Sequence, residues 1–307
     1  MKNILMKRID LIKQAIRKPA TDGVPMDIRL FLFLLVLVLT IVLGVIVILF
    51  ITGTFTAGLS ESELMIENEL LHAEQGISKQ YGEMSVQAIA FSKELSRSIE
   101  SKTDKLGIPV SNLHDHPEVL EEVISGEFDK SLFYLQRSKS SGVFFILNAT
   151  INPTLDNAKN SRAGLYIKNM EPNIISASSP NIIILRGMPS ISRKNSLSLH
   201  TQWKMEFDVS NAPYYHRPVN AARANNKMPL SRLYYWNTVF TLPNTSEEAM
   251  LCSVPLIDSQ GNVFGVCGLE ISTMLFKLSH MPNNNIYNRL FCMLSPINEN
   301  IELNKSM

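Results

Sequence analysis

The chain has 307 residues, with 29 Lys or Arg against 28 Asp or Glu and a formal net charge of +1. So even a balance gives no electrostatic case for a nucleic-acid partner or a strongly acidic one, and any chemistry must be read locally. Three cysteines, Cys252, Cys267 and Cys292, are too few, and odd in number, for a disulfide framework to hold an exported fold.

Residues 1–29 form a basic leader with Lys2, Lys7, Arg8, Lys13, Arg17, Lys18 and Arg29. Residues 30–52 then carry no charge over 23 positions. As a helix this run spans roughly 35 Å, enough for a bilayer core, and it is read as a transmembrane helix. A cleaved signal peptide is the rival reading, but its apolar run would be shorter, and Phe55 stands where a small residue is needed before Ala57. Glu61, Glu63, Glu67, Glu69 and Glu74 follow the span before any Lys or Arg. The flanking charge therefore predicts a single-pass protein of the inner or plasma membrane, with a cytoplasmic N-terminus and an extracytoplasmic main domain.

Residues 58–105 are expected to form a long stalk helix. The segment lacks proline and repeats apolar residues every seven positions at Leu70, Ile77, Met84 and Phe91, with Ala73, Tyr81, Ala88 and Leu95 between them. That stripe can pack on its own domain or on a second copy in a homodimer, and both can hold over different turns.

Residues 106–280 are expected to form one module. Pro109, Pro117 and Gly126 punctuate a loop with short helices up to residue 140. Strands are predicted at 142–148, 164–169, 182–185, 249–257 and 262–271. The last two flank Asp258-Ser259-Gln260-Gly261, which suits a three-residue loop with Gly261 in the left-handed region. That loop shifts the register by one and is expected to put Cys252 and Cys267 on opposite faces, unbridged. Residues 281–307 hold a possible strand at 290–295 and are too few to stand alone. The order of elements suggests an α+β fold with an antiparallel sheet and helices on one side.

Motifs that would demand catalysis are missing: no Gly-x-Ser-x-Gly elbow, phosphate-binding Gly-x4-Gly-Lys loop, Cys-x2-Cys or His-Glu-x2-His. The expectation is a protein that is not an enzyme and needs no cofactor. His114, Asp115 and His116 make one weak metal-binding cluster, better read as solvated loop residues. Residues 203–240 are the informative stretch. Trp203, Phe207, Tyr214, Tyr215, Tyr234, Tyr235, Trp236 and Phe240 interleave there with His216, Arg217, Arg223 and Arg232, just after His200. Rings with polar tips beside cations are what a pocket for a small polar solute uses, although each ring taken singly can be core packing.

The run from Met250 to Ser272, with Ser253-Val254-Pro255-Leu256-Ile257-Asp258 and Gly265-Val266-Cys267-Gly268-Leu269-Glu270-Ile271-Ser272, resembles the closing hairpin of extracytoplasmic double Cache sensor domains. The resemblance implies a PAS-like membrane-distal module over most of residues 58–280, with 281–307 beginning a membrane-proximal one. It also implies a site in the insert, with Trp203, Tyr214, Tyr215, Tyr235, Trp236 and Phe240 as ligand-binding residues and Glu270 as the carboxylate that receives a ligand ammonium. The chain departs from the amino-acid-binding members in lacking Arg-x-Trp-Tyr before Tyr215, and in having Phe240 and Leu242 where those place Tyr and Asp. Receptors of this kind carry a second span and an output module. The expected function is therefore the sensory region of a transmembrane receptor, or a membrane-anchored surface protein that binds no ligand.

Overall fold

The computed structural model describes residues 25–170, 181–225, 228–242 and 245–280. Most of the basic leader, the 281–307 segment with its possible strand, and Cys292 lie outside the described residues. The chain divides into two compact units, Met1–His72 and Ala73–Met307.

In the first unit α1 runs Met26–Ile51, 26 residues with none buried and a mean hydropathy of 3.5 over its most apolar window. At 1.5 Å per residue it is about 39 Å long, enough to cross a bilayer core. It starts directly after Pro25, a few residues before the uncharged run, so Asp27 and Arg29 fall in its first turn. It stops at Thr52, whose Oγ1 donates to the Ile48 carbonyl at 2.8 Å, and at Gly53, whose φ of 69° suits a residue without Cβ. Helix α2, Thr54–Lys105, follows at once and begins earlier than residue 58.

Helix α2 owes its place in the second unit to one face. Met84, Ala88, Phe91, Leu95 and Ile99 recur at helical spacing and are all buried. Ser85, Ser92 and Ser96 on the same side are small enough to bring the helix onto the sheet, where they pair with it. Ser92 Oγ donates to the Pro255 carbonyl at 2.7 Å, and Ser96 Oγ accepts the Ile257 amide at 3.2 Å. In the first unit, by contrast, Leu64, Leu70 and Leu71 on α2 are exposed. The seven-residue stripe thus packs on its own domain from Tyr81 onward.

Two short helices continue this layer, α3 at Leu120–Ser125 and α4 at Phe128–Ser138. Glu127, between them, is fully buried and accepts from Ser98 Oγ at 2.7 Å, Lys102 Nζ at 2.6 Å and Lys130 Nζ at 3.0 Å. It ties α2 to α4. Glu127→Gln keeps the shape and removes the charge, and is expected to cost about 1.5–3 kcal/mol, the worth of hydrogen bonds to a charged group. Urea unfolding checks this, and a cost near zero would mean that packing alone holds the two helices.

The strands are β1 Gly142–Leu147, β2 Ser161–Arg162, β3 Gly164–Asn169, β4 Ile182–Arg186, β5 Ser198–Lys204, β6 Phe207–Asp208, β7 Tyr235–Trp236, β8 Phe240–Thr241, β9 Glu248–Ile257 and β10 Val263–Ser272. The main sheet runs β5-β4-β3-β1-β10-β9-β7, with β8 also on β9, and β2 pairs with β6 apart from it. Every described pairing is antiparallel except β4 with β5. The remaining helices are α5 Pro189–Lys194, α6 Pro213–Ala224 and α7 Thr273–His280.

Period-two alternation sorts the central strands onto two cores. Val143, Phe145, Leu147, Cys252, Val254, Cys267 and Leu269 join the buried α2 residues, while Phe144, Ile146, Leu251 and Val266 join Tyr214, Tyr215 and Val219 of α6. This is the expected α+β architecture, with one revision. Helices cover both faces, because the aromatic insert contributes α6 to the second.

The hairpin explains the cysteines. Gly261 at φ 90° donates to the Asp258 carbonyl at 3.1 Å, and the Asp258 amide donates to the Asn262 carbonyl at 3.0 Å, closing the predicted three-residue loop. A bulge between Val263 and Gly265 then adds a second shift, so Cys252 pairs with Leu269 and Cys267 with Val254. Two shifts of one restore the face. Cys252 and Cys267 therefore lie on the same side and not on opposite sides as expected, yet out of register, and both are free. Burial pushes the Cys252 thiol up to about 12, so it is held as an unreactive thiol.

Candidate functional site

On the α6 face of the sheet, the registers Tyr235↔Ser253, Ser253↔Gly268, Gly268↔Phe144, Phe144↔Tyr166 and Tyr166↔Arg186 set these residues in one row across six strands. The next row is Leu251↔Glu270, Glu270↔Gly142 and Gly142↔Lys168. Gly142 is the reason the last two side chains meet. A Cβ there would fall 2.3 Å from Glu270 Oε2, so only glycine leaves β1 open for Lys168 and Glu270 to join across it.

Lys168 Nζ lies 3.1 Å from Glu270 Oε1 and also contacts Glu247 Oε2. Glu270 is fully buried; Ser141 Oγ donates to its Oε1 at 3.2 Å and Tyr166 to its Oε2 at 2.5 Å. Burial and the Glu270 charge push the Tyr166 hydroxyl well above the usual phenol range, which keeps it a donor. Toward the rim, His200 Nε2 is 3.0 Å from Glu247 Oε1, and the Gln202 amide donates to His200 Nδ1 at 3.0 Å. An accepting Nδ1 fixes the neutral ring with its proton on Nε2. Arg186 is buried nearby and donates to the Leu185 and Gln202 carbonyls at 2.7 and 3.0 Å.

Burial, then Lys168, then Arg186 lower the His200 pKa. An unfolded histidine titrates near 6.5, so between that value and the lower folded one the unfolded chain holds a proton that the folded site refuses. Stability from this group is complete above about pH 6.5 and is lost as pH falls below it. His280, also lowered by burial, acts with the same sign. The Tm of wild type is expected to drop between pH 7 and pH 5, and His200→Gln to make that drop shallower. Parallel curves would show that His200 does not contribute.

Aromatic rings wall the same face. Tyr166 stacks on Phe207 with centroids 6.1 Å apart, Tyr214 stacks on Phe240 at 5.5 Å, and Phe144 lies between them, 5.5 Å from Tyr166 and edge-on to Tyr214 at 6.0 Å. Tyr215 donates to Asn148 Oδ1 at 3.2 Å. The Ser253 hydroxyl is buried and has no hydrogen-bond partner among the described residues.

Of the sequence-predicted site residues, Tyr214, Tyr215 and Phe240 meet on this face, and Glu270 is buried on it next to Tyr166. Tyr235 shares the Ser253 row and donates to Asn237 Oδ1 at 3.2 Å. The two tryptophans are placed elsewhere. Trp236, one step along β7, points to the opposite face, packs on Tyr81 of α2 at 4.7 Å and donates to Ser85 Oγ at 2.9 Å. Trp203 donates to the Gly187 carbonyl at 3.0 Å and packs against the α2-side core. Sequence reading missed Tyr166, Lys168 and Glu247. A lysine inside the apolar strand Gly164–Asn169 was the available signal, since a charge in a strand buried on both faces must be paired.

His114 and His116 are exposed and bind locally, His114 Nδ1 to the Ser111 carbonyl and His116 Nδ1 to Glu118, each at 3.0 Å.

No family model matches the sequence, and no curated protein matches it. Among solved structures, the chain is similar to the periplasmic sensory domain of the Campylobacter jejuni chemoreceptor Tlp1, at 14% identity and a TM-score of 0.35 over 67% of this chain and 59% of that one. It is also similar to the ligand-binding domain of the Campylobacter jejuni chemoreceptor Tlp3 in complex with L-valine, at 11% identity and a TM-score of 0.24 over 66% of this chain and 65% of that one. A third similar structure is described as methyl-accepting chemotaxis protein X, at 13% identity and a TM-score of 0.29 over 68% of this chain and 65% of that one. The chain thus spans about three fifths of the length of the first of these sensory domains.

Proposed function

We propose that this chain is the extracytoplasmic solute-sensing region of a transmembrane receptor, anchored by α1 with its N-terminus in the cytoplasm. The observation that carries the reading is the buried ionic cluster of Lys168, Glu270 and Glu247 against Tyr166, from which the ring contacts run on through Phe144 and Tyr214 to Phe240, on the sheet face that α2 leaves to the insert. Fixed charges and oriented rings on a rigid sheet are what a specific site for a small solute needs. Structural stability needs no such cluster, since apolar residues of equal volume serve it as well or better.

A solute held by the insert would pull α6 and β8 against β9, whose other face carries α2 through Ser92 and Ser96. Binding would then select between two positions of α2 on the sheet. The exposed Leu64, Leu70 and Leu71 would give a second copy its contact. In this reading residues 106–280 act as the distal module, and the sensing region performs no catalysis.

A thermal-shift screen of the full chain in lipid nanodiscs against organic acids, amino acids, amines, sugars and nucleosides tests the reading. A saturable rise in Tm is expected for one class, weakened about tenfold by Phe240→Ala, since an aromatic contact is worth up to about 1.5 kcal/mol. No response to any class would favour a surface interaction protein without a ligand.

A further inference from the structure

The ionic cluster is already complete without a solute. Glu270 has about four lone-pair positions; Lys168 and Tyr166 meet two of them, and Ser141 Oγ shares its one proton between Oε1 at 3.2 Å and the Glu270 carbonyl at 3.0 Å. The space that Gly142 leaves beside Oε2 is taken by that oxygen itself, which already accepts from Tyr166. Glu247 is bridged on one oxygen by Lys168 and on the other by His200. Lys168 itself is 2% exposed. Lys168 is the cation in contact with both carboxylates, and His200 is neutral through its Gln202 bond.

We infer that Lys168 is the specificity-determining residue of this site: its ammonium is a built-in counter-ion, so the solute taken here carries no positive charge where it meets Glu270. The inference rests on the sensing reading and narrows it. An incoming ammonium must displace Lys168 from the two carboxylates it already bridges and leave that buried cation without them, which is unfavourable. An uncharged end does not compete with Lys168 for the carboxylates. This reverses the role that the sequence resemblance implies for Glu270, which here receives an ammonium from within the chain.

The test uses the full chain in nanodiscs, with ethylammonium chloride as the probe against sodium chloride at equal ionic strength. Wild type is expected to show no Tm difference between the two salts. Lys168→Ala opens the place of the ammonium, and ethylammonium is expected to raise its Tm saturably by about 4 °C or more, while the neutral isostere propan-1-ol does not. Lys168→Gln, which retains length and polarity, is the second variant should the alanine form not fold, and it is expected to lower Tm without responding to propan-1-ol. A saturable ethylammonium response in wild type that Glu270→Gln removes would overturn the inference, as would a folded Lys168→Ala indifferent to ethylammonium. In the solute screen, an amine ligand dependent on Glu270 would overturn the inference and leave the sensing reading standing. A flat screen would instead remove the sensing reading, and with it any specificity for Lys168 to determine.

Discussion

Lys168→Met is expected to destabilise the folded chain by about 3–5 kcal/mol, because removing one partner of a buried ion pair strands the other charge. The stranded group is Glu270, fully buried and left with only the Ser141 and Tyr166 hydroxyls. Glu247 is affected less, since its side chain is 25% exposed and water can replace the lost ammonium. The companion variant Lys168→Met with Glu270→Leu removes both charges from the interior and is expected to recover most of the loss. Urea unfolding of wild type, both singles and the double closes the cycle, and the two sites should couple because they touch across Gly142. A single-variant cost below about 1 kcal/mol would place the cluster in water and remove the basis for reading it as a site.

The parts legible in the sequence are those whose physics is local. The hairpin of β9 and β10 could be read almost to its ends because Asp258 and Gly261 dictate the loop, with Asp258 Oδ1 accepting the Gln260 and Asn262 amides at 3.0 and 2.7 Å. Strands β1 and β3 were equally plain as runs of apolar and β-branched residues between turn signals. Helix α6 was not, since Pro213 and Pro218 argue against a helix locally. Pro213 sits at its first position, and the Pro218 position is offset by burial of Tyr214, Tyr215, Pro218, Val219 and Ala222. Strand β5, largely polar and partly exposed, is fixed by parallel pairing to β4, which no pattern within Ser198–Lys204 announces.

The site was half legible for the same reason. Proximity in the chain grouped Trp236 with Tyr235, but strand alternation separates neighbours to opposite faces, and it sent Trp236 to α2. Lys168, His200, Glu247 and Glu270 come from four distant stretches, and their meeting depends on pairings from β5 through β4, β3, β1 and β10 to β9, the β1–β3 and β1–β10 registers setting Lys168 against Glu270. Those registers depend on glycines whose role is to leave space. At Gly268 a Cβ would lie 2.2 Å from the Cys252 carbonyl and 2.6 Å from the Phe144 ring, so the aromatic wall rests on that absence as the ion pair rests on Gly142.

The same contrast between pattern and context governs the stripe on α2, where Leu70 and Phe91 occupy equivalent positions of one seven-residue repeat. Phe91 is fully buried, with its ring 5.0 Å from that of Tyr134. Phe91→Ala is expected to cost about 3–5 kcal/mol, the range for emptying an aromatic site in a close-packed core. Leu70 is 69% exposed, and Leu70→Ala in a monomer is expected to change stability by no more than about 0.5 kcal/mol. If the protein works as a pair of copies touching along Leu64, Leu70 and Leu71, the Leu70 variant acquires a cost that grows with protein concentration while the Phe91 cost does not. Thermal unfolding at two nanodisc loadings, one and two copies per disc, separates these effects. A Leu70 cost independent of loading would assign that part of the stripe to something other than a second copy, and a small Phe91 cost would contradict the packing of α2 on the sheet from which the proposed signal is passed.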